Sequence, residues 1–244
     1  MFWKQNGIVP VVSDVLILHV ATCIPKVVVR MMATRTNRRI VGPPAPARAV
    51  SAGSPSSRWH GSLASITDSE RRALRPIDIT AHEAAVRTGD ILTGLFALPS
   101  VHIFQGVRPT TVDLPRIPHA VSAGRQVVLV ESVAWPPGRY VVTVGGRIYC
   151  DGTYIGQSAR QLMAAVRSWR ESLPSGHRVI GLVVVHSCAE GELALPRAVT
   201  RDIAWTHAGD AVAEIRARLP RRLDQASVRA VAALIAATAE EENR

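Results

Sequence analysis

Apolar residues in this chain switch between helical and extended spacing. From residue 80 to about 98 they recur every three to four positions, with Ile91, Leu92, Leu95 and Phe96 on the inner side, which predicts a helix. Thr80-Ala81-His82-Glu83 marks its start as a capping box, a hydroxyl three residues ahead of a carboxylate. Short apolar runs at 101–107, 118–123 and 126–133 predict three strands, and 139–144 with 147–150 a hairpin turned by Gly145-Gly146, which tolerate positive φ. Helical spacing returns over 158–172, where Leu162, Val166, Trp169 and Leu173 share one face and Arg160, Arg167 and Arg170 the opposite one. Residues 179–187 form an unbroken Val-rich run, the pattern of a strand covered on both faces. Helices at about 210–219 and 225–238 close the chain, with Val212, Ile215 and Leu219 in one stripe and no internal repeat. The order predicts an α/β domain over 77–244 in which the 126–133 and 179–187 strands share a sheet with helices on both sides.

Residues 1–76 read differently. An apolar stretch at 7–29 is broken by Pro10, Asp14, His19, Pro25 and Lys26, and it runs into Pro-, Ser-, Gly- and Arg-rich sequence that predicts a flexible linker. The stretch leaves four options open: membrane attachment, a signal peptide with Val20-Ala21-Thr22-Cys23 close to a lipoprotein cleavage site, a true start at Met31 or Met32, or an unstructured or locally ordered tail. The tail also carries most of the charge. Residues 1–60 hold eight Lys and Arg against one Asp, a net of +7, whereas the rest of the chain adds only +3 to the total of +10. Charge alone therefore does not argue for a phosphate-binding surface on the folded part. At 47% hydrophobic and 20% charged residues the chain is globular in class. Cys23, Cys150 and Cys188 are widely spaced, which excludes a disulfide framework or a zinc knuckle and fits a reducing cytoplasm, with a membrane-tethered protein as the alternative.

The most specific segment is Ile117-Pro118-His119, then a turn at Gly124, the run Val127-Val128-Leu129-Val130, and Glu131-Ser132-Val133. It resembles the nuclease-related domain (NERD) family of the restriction-endonuclease-like PD-(D/E)xK superfamily, whose members carry Ile-Asp-His, a Gly-containing turn, an apolar strand and Glu-x-Lys. The resemblance implies a mixed central sheet flanked by helices and preceded by a flexible N-terminal tail, and it covers roughly 78–235. Gly156-Gln157-Ser158 and Gln161 echo the family's Gln-rich helix start. It further implies DNA processing, with Mg²⁺ held between the Asp and Glu carboxylates and the Lys orienting the attacking water. Here Pro118 stands in place of the Asp and Val133 in place of the Lys, so the motif is degenerate while His119 and Glu131 remain.

Three carboxylates are candidates for a rearranged site. Glu83 either caps its helix or faces the site, Asp113 is either a loop residue or a moved ligand, and Glu131 ends an apolar strand where a buried charge needs a metal or an Arg beside it. Glu83 and Glu131 are the candidate metal ligands. Arg160, Arg167 and Arg170 are candidate nucleic-acid contacts, although Glu171 interrupts their face. Trp135, in Trp135-Pro136-Pro137-Gly138, is either an exposed stacking point or a side chain packed over the domain edge. Cys188 near His186 reads as a structural thiol, because a nucleophile needs a lowered pKa and a placed base. The first expectation is a catalytically degenerate module that binds or scaffolds DNA or a protein partner, without a cofactor. The alternative is a Mg²⁺-dependent DNA nuclease built from Glu83, Asp113 and Glu131.

Overall fold

The computed structural model describes residues 55–69, 71–111, 113–196, 202–220 and 227–239. All of them belong to a compact unit spanning 50–244. The expected apolar stretch at 7–29 and the linker up to residue 54 lie outside the described residues. Among those described, no helix is long and apolar enough to cross a membrane.

Six strands form the central sheet: β1 (Trp59–Gly61), β2 (His102–Val107), β3 (Ile117–Ala123), β4 (Gln126–Trp135), β8 (Arg178–Ser187) and β10 (Ile203–His207), in the order β1-β2-β3-β4-β8-β10. β2, β3 and β4 are an antiparallel meander, while β8 lies parallel to β4 over its whole length, from Gln126 opposite Arg178 to Trp135 opposite Ser187. Both Val-rich runs thus sit at the centre of one sheet, as their composition requires. β5 (Gly138–Val142), β6 (Arg147–Cys150), β7 (Thr153–Ser158) and β9 (Leu193–Ala194) make a second mixed sheet in the order β7-β6-β5-β9. In the β5–β6 turn only Gly146 takes a positive φ, +79°, so Gly145 is not needed for conformational freedom.

Alternation along β4 divides the core. Val127, Leu129, Val133 and Trp135 face one side with Leu162, Val166 and Trp169 of α2 (Arg160–Ser172) and Leu234 of α4 (Val228–Thr238). Val128 and Val130 face the other side with Leu92 of α1 (Ala81–Leu92), Leu95 of the 3₁₀ turn after it, and Ile215 of α3 (Ala211–Arg218). The buried stripe of α1 is Ala81, Ala84, Ala85, Thr88, Gly89 and Leu92, at helical spacing and mostly small, which allows this helix to lie close to the sheet.

The boundary expected at residue 76 is wrong. β1 pairs parallel with β2, Trp59 opposite Ile103, and Leu63, Ile66 and Leu74 are 8%, 2% and 4% exposed. These apolar residues are too sparse to show a period, and the sheet edge rather than local propensity orders them. The strands at 153–158 and 203–207 also escaped expectation, the first because it is largely exposed and the second because it is only five residues long.

Leu74 lies in the core cluster with Phe104, Leu129 and Val133. Leu74→Ala is expected to cost about 2–4 kcal/mol in urea unfolding, as for a buried leucine. A cost below about 0.5 kcal/mol, the scale of a surface change, would return this segment to the linker.

Candidate functional site

Pro118, His119, Glu131 and Val133 lie on two neighbouring central strands, β3 and β4. His119 pairs with Val130 across β3 and β4, so the next step of the ladder sets Pro118 beside Glu131. On its other side the ladder skips the step opposite Gly106, between the pairs of Gln105 with His119 and Val107 with Ile117. Proline has no N–H to donate, which accounts for an interrupted ladder at the middle of a sheet.

Glu131 is 6% exposed, and its Oε1 lies 3.5 Å from Nη1 of Arg72, itself 6% exposed. The second Arg72 nitrogen, Nη2, donates to the Arg116 carbonyl at 3.0 Å. Val133, two residues along the same face, is fully buried among apolar side chains. The carboxylate therefore meets the Arg72 guanidinium and the Ser132 N–H, 3.4 Å from Oε1, with the Val133 side chain buried on the same face.

Arg72 is delivered by a segment, residues 71–77, that is bonded along its length. The Ala73 amide donates to Gln161 Oε1 at 2.6 Å, and Gln161 Nε2 donates to the Arg71 carbonyl at 2.8 Å. The Arg75 amide donates to Gln157 Oε1 at 3.2 Å, and the same oxygen accepts from Trp135 Nε1 at 3.3 Å. Ser158 N–H reaches the Ala73 carbonyl at 2.7 Å and Ile77 N–H the Ala134 carbonyl at 2.7 Å. The two glutamines that looked like a family helix start thus hold this segment across the C-terminal half of β4. Sequence reasoning allowed for an Arg beside Glu131 but did not find Arg72, 59 residues away in a stretch assigned to the linker.

The other candidates are elsewhere. Glu83 is exposed and accepts from Arg87 at 2.6 Å, one helical turn on, while its amide donates to Thr80 Oγ1 at 3.0 Å. The capping role stands on the amide, and the carboxylate has gone to the arginine. Asp113 is an exposed loop residue. Among the described residues no group of three His, Cys, Asp or Glu side chains is placed to hold a metal ion. Arg170 pairs with Asp202 at 2.7 Å and donates to the Val179 carbonyl, and Arg160 donates to the Gly145 carbonyl at 2.7 Å. Two of the three stripe arginines are thus committed within the domain, and Arg167 remains on the exposed face. Trp135 is not an exposed stacking point: it is fully buried, stacked on Tyr140 at 4.4 Å and beside Trp205 at 5.4 Å.

His119 points to the opposite side of the sheet, under α1. It has no exposed surface, and neither ring nitrogen has a hydrogen-bond partner among the described residues. Burial holds its pKa down to about 3, so the ring is neutral. His186, on the same side, hydrogen-bonds Thr88 at 2.8 Å and has its pKa lowered by burial and then by Arg87. Cys188 is half-buried, and burial with a hydrogen bond to Asp78 raises its pKa, the opposite of what a thiolate nucleophile needs.

No protein-family model matches the chain, and neither a curated protein nor a solved structure is significantly similar to it.

Two tests follow from this geometry. Arg72→Met leaves a buried carboxylate uncompensated and is expected to cost about 3–5 kcal/mol, with more than half recovered in Arg72→Met/Glu131→Met. No recovery in the double variant would mean that the two charges do not compensate each other. For His119 the folded pKa lies below the unfolded value, so its stabilising contribution is complete above pH 6.5 and falls between 6.5 and about 3, as the unfolded chain alone takes up a proton. The wild type should lose stability faster than His119→Leu on acidification, by up to about 1.4 kcal/mol per pH unit. Parallel pH profiles would show that the folded ring titrates normally.

Proposed function

We propose that this domain is a catalytically silent relative of the restriction-endonuclease-like fold, of NERD type, and that it works as a binding or scaffolding module. The observation that carries the reading is the pair of Arg72 with Glu131. A Mg²⁺ site in this position needs two or more converging oxygen ligands. Here the retained carboxylate faces a guanidinium, Pro118 offers no ligand, and Val133 can neither move a proton nor place a positive charge at a phosphate. The residues do not fit the metal, and the motif's usual reaction is not assembled.

The element order supports kinship with the nuclease fold: helix α1, the antiparallel meander β2-β3-β4, helix α2, and β8 parallel to β4. This is the order the resemblance implies, with the degenerate positions on adjacent central strands. The former cleft is not the contact surface in this reading, because the 71–77 segment covers Glu131. The commitment of Arg160 and Arg170 also weakens a phosphate-tracking role for the α2 face.

Purified protein is expected to show no Mg²⁺- or Mn²⁺-dependent cleavage of single- or double-stranded DNA above an Arg72→Met/Glu131→Met control. Installing Pro118→Asp with Val133→Lys should lower the melting temperature rather than create activity, since residue 133 is fully buried. Robust metal-dependent cleavage by the unaltered protein, lost in the control, would overturn the reading in favour of a rearranged nuclease.

A further inference from the structure

On the α1 side of the sheet, away from Glu131, a cavity of about 360 Å³ opens between α1 and the β1–β2 edge. Trp59 and Phe96 supply its aromatic walls, their ring centroids 5.6 Å apart and tilted by 53°. Leu63 and the 39%-exposed Val86 extend the apolar lining, and the polar groups at hand include the Asp90 carboxylate and the Gln105 amide. Its volume falls in the range of ligand pockets, and apolar walls with a few polar groups are their usual composition.

The walls are held in place. Arg58 lies over the Phe96 ring at 5.2 Å and donates Nη1 to the Leu98 carbonyl at 2.6 Å and Nη2 to the Phe96 carbonyl at 3.1 Å. Gly89 forms part of the floor. A Cβ there would come within 3.1 Å of His119 Nε2 and 3.6 Å of Gln105 Nε2, so the absence of a side chain lets α1 lie directly over two polar side chains of the sheet. Burial keeps that histidine neutral, and the negative charge of the site is that of Asp90.

We infer that this pocket is a binding site for a planar heteroaromatic ring with an exocyclic amine, the chemistry of an aminopurine or aminopyrimidine base. Trp59 and Phe96 supply faces for the ring, as aromatic side chains do for unpaired bases. Asp90 accepts from the amine, a pairing that carboxylates make with amino groups of bases, and Gln105 offers both a donor and an acceptor to the ring edge. Among the described residues the lining contains no Lys or Arg, and both Nη atoms of nearby Arg58 are committed to backbone carbonyls, so the site takes a base or nucleoside rather than a nucleotide. This inference is independent of the nuclease-fold reading, since every residue in it lies on the other side of the sheet from Glu131.

The test is a fluorescence titration of the full chain with 2-aminopurine riboside, whose emission is quenched by stacking. Saturable quenching is expected, weakened roughly 10- to 100-fold by Asp90→Ala, the loss typical of a hydrogen bond to a charged group. Asp90 is exposed on its helix, so this variant keeps the fold, and an unchanged melting temperature checks that it does. Purine riboside, which lacks the amine, and the probe's 5′-monophosphate should both bind at least tenfold more weakly. The proposal is overturned by the absence of saturable quenching at millimolar probe, by equal binding of purine riboside, by tighter binding of the monophosphate, or by an Asp90→Ala variant that binds as well as the wild type.

Discussion

A carboxylate near the middle of a six-stranded sheet has to be answered by a positive charge, or the sheet bears a desolvation cost of several kcal/mol. Glu131 meets that condition through Arg72, and the consequence reaches well beyond the pair. An arginine in a dry interior must also satisfy its other donors, which Arg72 does in part on the Arg116 carbonyl beside β3. The backbone that carries it runs over the sheet with Arg72 and Leu74 buried and Arg71 and Arg75 exposed, and its partly buried amides and carbonyls still need partners. Gln157 and Gln161 meet those needs from β7 and the first turn of α2, and so tie the second sheet and α2 to the N-terminal edge. One buried charge thus fixes the path of residues 71–77, along which Leu74 joins the core.

The opposite side of the sheet solves a different problem. Alanine, threonine and glycine along α1 bring the helix so close that His119 is shut away from water without a partner. Neutral imidazole costs less to bury than a charged one, so the ring stays deprotonated well below its ordinary pKa. The close approach is needed only along the small-residue stripe. The cavity opens beside that close approach, lined by Gly89 of the stripe together with Trp59 of β1 and Phe96 of the 3₁₀ turn after α1.

Long apolar runs made the centre of this fold legible. The 126–133 and 179–187 strands and the α2 face showed their partners because burial on two sides or on one stripe leaves a period in the sequence. The N-terminal edge left no such mark: β1 is three residues long, and 71–77 is ordered by side chains of Gln157 and Gln161 more than eighty residues away. For the site, the charge at the end of an apolar strand announced Glu131, yet nothing local distinguished Arg72 from its neighbour Arg71. The Arg160, Arg167 and Arg170 face was visible from spacing, but the Asp202 that pairs with Arg170 lies on another element and could not be seen from spacing. Glu83 shows the same limit on a smaller scale, since its amide follows the capping pattern while its carboxylate turns to Arg87.

Period-two alternation gives β3 a part in both halves of the molecule. Pro118 sits beside Glu131 on the α2 side, and its neighbour His119 stands under Gly89 on the α1 side. The α1-side environment of His119 is therefore separate from the ion-pair side on which Pro118 lies. A one-residue slip in this strand would exchange the two environments, placing the neutral ring beside an ion pair and the proline ring against the helix. Such a slip is opposed from both edges: the β2 and β4 registers hold His119 between Gln105 and Val130, and the proline cannot make up a lost ladder bond in a new position. Register in β3 thus decides at once which side chain meets the ion pair and which lies under the helix.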